Sequence, residues 1–143
     1  MKDQVGIKGE LVIQLIRDGK VVDERKVKNT ITTAGVNLVA TLVSGSGTAF
    51  SHMAIGTGTT SATTSDTTLE TEAGRVTLTS KAVTSGTIAY VGDFPAGTGT
   101  GSITEAGILN ASSLGTMLNR TTFSAVNKTA SDALKITWNV TFS

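Results

Sequence analysis

Residues 54–75 read AIGTGTTSATTSDTTLETEAGR, a short apolar run that gives way to glycines and threonines and then to acids closed by an arginine. Such a stretch could cradle a phosphate, ligate a cation, or simply join two strands. A Walker-type phosphate loop needs a lysine followed by serine or threonine after its last glycine. Neither GTGTT (56–60) nor GTGTG (97–101) is followed by that pair. The dinucleotide fingerprint needs a long helix directly after its glycines, and no such pattern follows here. Both Gly/Thr stretches therefore read as flexible or tightly turned connections. Asp66, Glu70 and Glu72 offer oxygen ligands of the kind calcium takes, at a spacing that matches no EF-hand loop. Acids at a helix N-terminus, where they complement the dipole, are the commoner arrangement. The sequence leaves open whether this cluster takes a cation.

His52 is the only histidine, and it adjoins an apolar run with no recognisable serine or cysteine nucleophile nearby. A packed or hydrogen-bonded imidazole is the ordinary outcome of that setting. Glu105 lies in ITEAGIL, where alternation gives it no clear exposed side, so a structural ion pair with Arg75 or Arg120 is expected. Asn110, Asn119, Asn127 and Asn139 each begin an N-x-S/T triplet, which chance supplies readily in a chain with 26 threonines. Apart from the open question of the acidic cluster, no metal site is assigned, no catalytic set or cofactor site assembles, and the chain reads as a non-enzyme.

The elements that must position these residues are mostly strands. At 143 residues the chain is long enough for one domain with a real core. Its richness in threonine and glycine, with one proline, favours pleated surfaces. A net charge of +1 from 12 basic and 11 acidic residues gives no electrostatic footprint for nucleic acid. There is no cysteine to form a disulfide or a thiolate zinc site. The N-terminus has charges scattered through it and reads as neither signal peptide nor membrane span, so a soluble, cytoplasmically made protein is expected.

KGELVIQLIR (8–17) has Leu11, Ile13 and Leu15 on one face and apolar Val12 and Ile16 on the other, so cover on both sides is expected. Asp18-Gly19 is a strong hairpin signal, and the charged return strand KVVDERKVKN (20–29) has the character of an edge. TTAGVNLVATLVSG (32–45) carries a helical stripe, with threonine to cap it and glycine to end it. Gly35 should weaken that helix by roughly 1 kcal/mol. The order continues with strands at HMAIG (52–56), RVTLTSKAV (75–83), TIAYVGDF (87–94), ITEAGILN (103–110), MLNRTTF (117–123) and LKITWNVTF (134–142). One or two helical turns are expected within TSDTTLETEAG (64–74), with Ser65 or Asp66 as cap. The sum is about eight strands and one or two short helices in a single domain, residues 1–143. It is an all-β, antiparallel, jelly-roll-like sandwich with Trp138 in its core beside Leu11, Ile13, Ile136 and Val140. The two Gly/Thr loops could meet at one end of the sandwich.

Five segments, NTITTAGVNLVATLV (29–43), HMAIGTGTTSATTSDTTLETEAGR (52–75), FPAGTGTGSITEAGILN (94–110), GTMLNRTTF (115–123) and DALKITWNVTF (132–142), resemble in order the small β-rich virion proteins of tailed bacteriophages. The resemblance covers most of the chain. It implies a structural role without catalysis or cofactor, in a virion assembled in the cytoplasm of a host bacterium. It further implies a capsid decoration or cement subunit, or alternatively a tail-fibre or baseplate component that helps contact the host. The absence of long collagen-like or coiled-coil repeats favours the compact decoration subunit. The expected partners are the major capsid protein and copies of the chain itself, as dimer or trimer, or other tail proteins in the alternative, with no nucleic acid and no membrane. Candidate subunit contacts are Thr57, Gly58 and Thr59, then Gly97, Thr98 and Gly99, together with an N-terminal arm at residues 1–7.

Overall fold

The computed structural model describes residues 6–143. Residues 1–5 of the expected arm lie outside the described residues, whereas Gly6 and Ile7 continue the first strand ladder by pairing with Ser143 and Phe142. Ten strands and one helix run in the order β1 (Ile7–Arg17), β2 (Lys20–Lys28), β3 (Thr30–Ile31), α1 (Thr33–Val43), β4 (His52–Gly56), β5 (Glu72–Thr77), β6 (Ser80–Thr84), β7 (Thr87–Phe94), β8 (Gly101–Leu109), β9 (Met117–Lys128) and β10 (Ala133–Phe142). They form an antiparallel sandwich of two five-stranded sheets, ordered β2-β1-β10-β7-β6 and β3-β9-β8-β4-β5.

Strict alternation places the core. Leu11, Ile13 and Leu15 of β1 meet Trp138, Ile136 and Leu134 of β10 in register, and all six are buried. Val12 and Ile16 point to the opposite side, where they are only half buried, so the expected cover on both faces is absent there. The β1–β2 hairpin turns through Asp18 and Gly19, at φ 53° and 74°, the primed geometry that matches strand twist. As its charges suggested, β2 is the edge of its sheet.

Helix α1 lies across the sandwich, with Leu38, Val39 and Leu42 packed against the core. Thr32 caps it by accepting from the Gly35 amide while its own hydroxyl donates to the Met117 carbonyl. Gly35 does more than weaken the helix. A Cβ there would lie 2.5 Å from the Leu118 carbonyl oxygen, so glycine is what lets helix backbone rest on strand backbone.

The sequence suggested about eight strands, and the two more have physical causes. Thr30–Ile31 forms a short rung on β9 as the chain leaves β2. The expected strand 75–83 divides into β5 and β6, one in each sheet. The switch falls between two neighbouring amides: Leu78 N–H donates to Ser51 in one sheet, and Thr79 N–H donates to Val91 in the other. The expected helical turns in 64–74 do not form. The amides of Glu70 and Thr71, which a helix would need internally, donate instead to the side chain of Glu105.

Candidate functional site

The densest polar site is built where residues 57–71 fold back over the outer face of the second sheet. Leu69 plugs a small apolar patch of Ala54, Leu109 and Met117 on that face. Beside the plug stands Glu105, on β8, with no solvent exposure. Its Oε1 accepts from Glu70 N–H (2.8 Å) and Arg120 Nε (3.0 Å), and its Oε2 from Gly58 N–H (2.8 Å) and Thr71 N–H (2.7 Å). One carboxylate thus satisfies three loop amides that lack partners in regular structure.

Arg120, on β9, is the second hub, with its side chain 3% exposed. Besides Glu105, it reaches Asp66 Oδ2 (3.0 Å) and the Thr60 carbonyl (2.9 Å). Asp66 does not cap a helix. It closes a turn by accepting from the Thr63 amide and hydroxyl. Burial pushes the Asp66 carboxyl up, but the Thr63 amide and hydroxyl and the Arg120 guanidinium outweigh it and hold its pKa below the usual range. Glu70 is likewise held low, by the Thr60 hydroxyl and the amides of Thr60 and Thr59.

The expected pairing of Glu105 with Arg120 is therefore present, and Arg75 is engaged elsewhere. Arg75 grips Glu72 through two hydrogen bonds, at 2.7 and 3.1 Å, and clamps the carbonyls of Ala111 and Leu114. Asp66, Glu70 and Glu72 thus face different partners. Among the described residues, no group of three or more carboxylates or imidazoles is arranged to hold a metal ion. His52 bonds to the Ser51 and Thr77 hydroxyls, one at each ring nitrogen.

The two Gly/Thr loops do approach each other: a Cβ on Gly101 would sit 3.6 Å from Thr57 Cγ2. Gly58 and Gly99 are buried, Thr57 and Thr98 are half buried, and Thr59 and Gly97 are exposed. Gly58 has no space for a side chain, since a Cβ would collide with Glu105 Oε2 and lie 2.5 Å from Glu70 Cβ. Gly99 packs on Ile55 and against Gly74, tying its loop to the edge of β5.

Sequence reading missed a second ion pair of the same design. TTSD (63–66) recurs as TASD (129–132). Asp132 accepts from the Thr129 amide, as Asp66 does from Thr63, and takes an arginine through two 2.9 Å bonds from Arg17. Arg17, then the Thr129 amide, holds the buried Asp132 carboxyl far below its ordinary pKa. The T-x-S-D repeat was the available signal. Nearby, Lys128 is 1% exposed and donates to the Pro95 carbonyl, and burial lowers its pKa.

Also missed was the polar contact of Trp138, whose indole N–H donates to Asn29 Oδ1. Asn119 Nδ2 donates to the same oxygen, and Asn119 Oδ1 in turn accepts from Ile108 N–H, which fixes both amide orientations. Asn29 Nδ2 is left buried without a partner. The residue Asn29 borders a cleft of about 670 Å³ where β2 leaves its sheet, lined by Lys8, Glu10, Lys28 and Asn139 among others.

Comparison with known protein families, with curated proteins and with solved structures finds no match for this chain.

Proposed function

We propose that this chain is a structural protein of a tailed-bacteriophage virion, a head decoration or cement subunit that braces the capsid lattice. The observation that carries the reading is the direction in which the charged groups of the phage-like segments point. Glu105, Arg120, Asp66, Glu70, Glu72 and Arg75 all bind within the chain and fasten connections down onto the sheet. This chemistry makes a rigid block and presents no set of groups to a substrate. Rigidity suits a subunit that binds many equivalent sites on a shell, because it lowers the ordering cost at each site. Binding only the assembled shell then stabilises it by mass action, without covalent chemistry.

Of the candidate contact residues, Thr59 and Gly97 are exposed and free to meet a lattice, and Thr57 and Thr98 are half buried. Gly58 and Gly99 support these contacts from beneath. The test is quantitative mass spectrometry of purified particles, combined with retention of Thr59→Glu protein on purified heads. A decoration subunit is expected at on the order of hundreds of copies per particle, one for each repeated lattice site, with retention weakened by the substitution. A few dozen copies would move the assignment to the tail fibre or baseplate. Absence from the particle would overturn the virion reading.

A further inference from the structure

The four sheet edges are finished very differently. β2 carries six charged residues in nine, β3 is two residues long, and β5 is covered where Gly74 packs against Gly99. Charge, shortness and cover are the usual protections against stray strand pairing. β6, SKAVT, has none of them beyond one lysine; all five residues are exposed, and among the described residues it pairs only with β7.

The hairpin fixes which backbone groups of β6 are free. Ser85 and Gly86 turn at φ 47° and 79°, so Thr84 and Thr87 form the hydrogen-bonded pair that closes a two-residue loop. Bonded and non-bonded pairs alternate along an antiparallel ladder. Ala82 with Ala89 and Ser80 with Val91 therefore also bond towards β7, and the N–H and C=O groups of Lys81 and Val83 point out of the sheet edge.

We propose that two copies of this chain pair through β6, antiparallel, about a two-fold axis at Ala82. In that register Lys81 of each copy faces Val83 of the other, and four hydrogen bonds satisfy all eight outward groups. The one charge on the strand never meets itself, whereas a register centred on Lys81 would oppose two ammonium groups. A register centred on Val83 leaves the Lys81 groups unpaired. The interface is isologous, as a closed dimer requires. It also covers apolar surface: Val83, 72% exposed, stands in register beside Ile88. Ile88 lines a cleft of about 330 Å³ with Val43, Phe50, Tyr90 and Phe142. The inference rests on the geometry of this edge alone, and it stands or falls separately from the virion reading.

The chain has no cysteine, so a single engineered thiol reports cleanly. Ala82 would face its own copy in a non-bonded pair, whose Cα atoms lie about 4.5 Å apart, within disulfide reach. Full-length Ala82→Cys protein is expected to form a covalent dimer under mild oxidation, much faster than Val22→Cys on the charged β2 edge. Sedimentation of the unmodified chain should show a concentration-dependent monomer–dimer equilibrium. Val83→Pro, which removes an outward N–H and takes no bond from the β6–β7 ladder, should abolish that equilibrium with little change in melting temperature. A chain that stays monomeric up to about 1 mM, equal crosslinking at both positions, or self-association that survives Val83→Pro would each overturn the proposal.

Discussion

Two regions of this domain treat their polar groups in opposite ways. Under residues 57–71, which have no regular structure, Glu105 and Arg120 supply partners for the amides and carbonyls that the loop cannot satisfy itself. On β6, which is regular strand, the outward N–H and C=O groups of Lys81 and Val83 have no protein partner among the described residues. The irregular segment is the closed one, and the regular segment is the open one. Secondary structure is thus a poor guide to where this molecule can still make bonds; following each backbone group to its partner is a better one.

The largest expected effect tests the closed side. Glu105→Gln leaves the buried Arg120 guanidinium with only the partly exposed Asp66 as charge partner, and breaking a buried pair costs about 3–5 kcal/mol. Urea denaturation should show that loss, and a loss under about 1 kcal/mol would mean that the loop is held by Leu69 packing alone. Gly58→Ala comes next. Its methyl group would push on Glu105 and Glu70, and overpacking of this kind costs typically 1–3 kcal/mol. An unchanged midpoint would show that the loop can shift without cost.

Acid sharpens the contrast, because the closed regions hold depressed carboxyls and β6 carries no carboxyl. Asp132 and Asp66 titrate below their ordinary range when folded. An aspartate in the unfolded chain titrates near about 3.9. The stability they contribute is therefore fully present above that value and is lost as pH falls through it towards the folded pKa. Melting temperature should fall on acidification below about pH 4, and Asp132→Asn should be less stable at neutral pH but flatter across that window. An unchanged acid limb in the variant would remove Asp132 as a cause. The smallest expected effect belongs to the open side. Val83→Glu should change monomer stability by no more than about 0.5 kcal/mol, as exposed substitutions do, and a larger loss would show that β6 is already buried against something.

Elements that depend on near neighbours were legible in the sequence, whereas β6 was read only as the end of one strand, 75–83, because the switch between sheets is set by distant partners. Alternation in β10, the Asp18-Gly19 turn and the charged run of β2 each identify their element within about ten residues. The apolar stripe and the capping threonine did the same for α1. The closed side was less legible because its bonds join distant residues. Thr71 and Glu105 are 34 positions apart, and Arg17 and Asp132 are 115 apart. TSDTTLETEAG looks helical locally, and it stays irregular because Glu105 and Arg120 take the groups a helix would need. The end of β9 was underestimated for a related reason. Past Phe123 its inward side is held by Val126 and Lys128, and a buried lysine breaks the expected apolar alternation.

Residue-resolved amide hydrogen exchange, followed across protein concentration, tests this contrast most directly. The amides of Gly58, Glu70 and Thr71 should exchange as slowly as core strand amides at every concentration, although they lie outside or at the margin of regular structure. The amides of Lys81 and Val83 should exchange rapidly in dilute solution and gain protection as concentration rises. Fast exchange at Gly58, Glu70 and Thr71, or protection of Lys81 and Val83 that does not depend on concentration, would contradict the account.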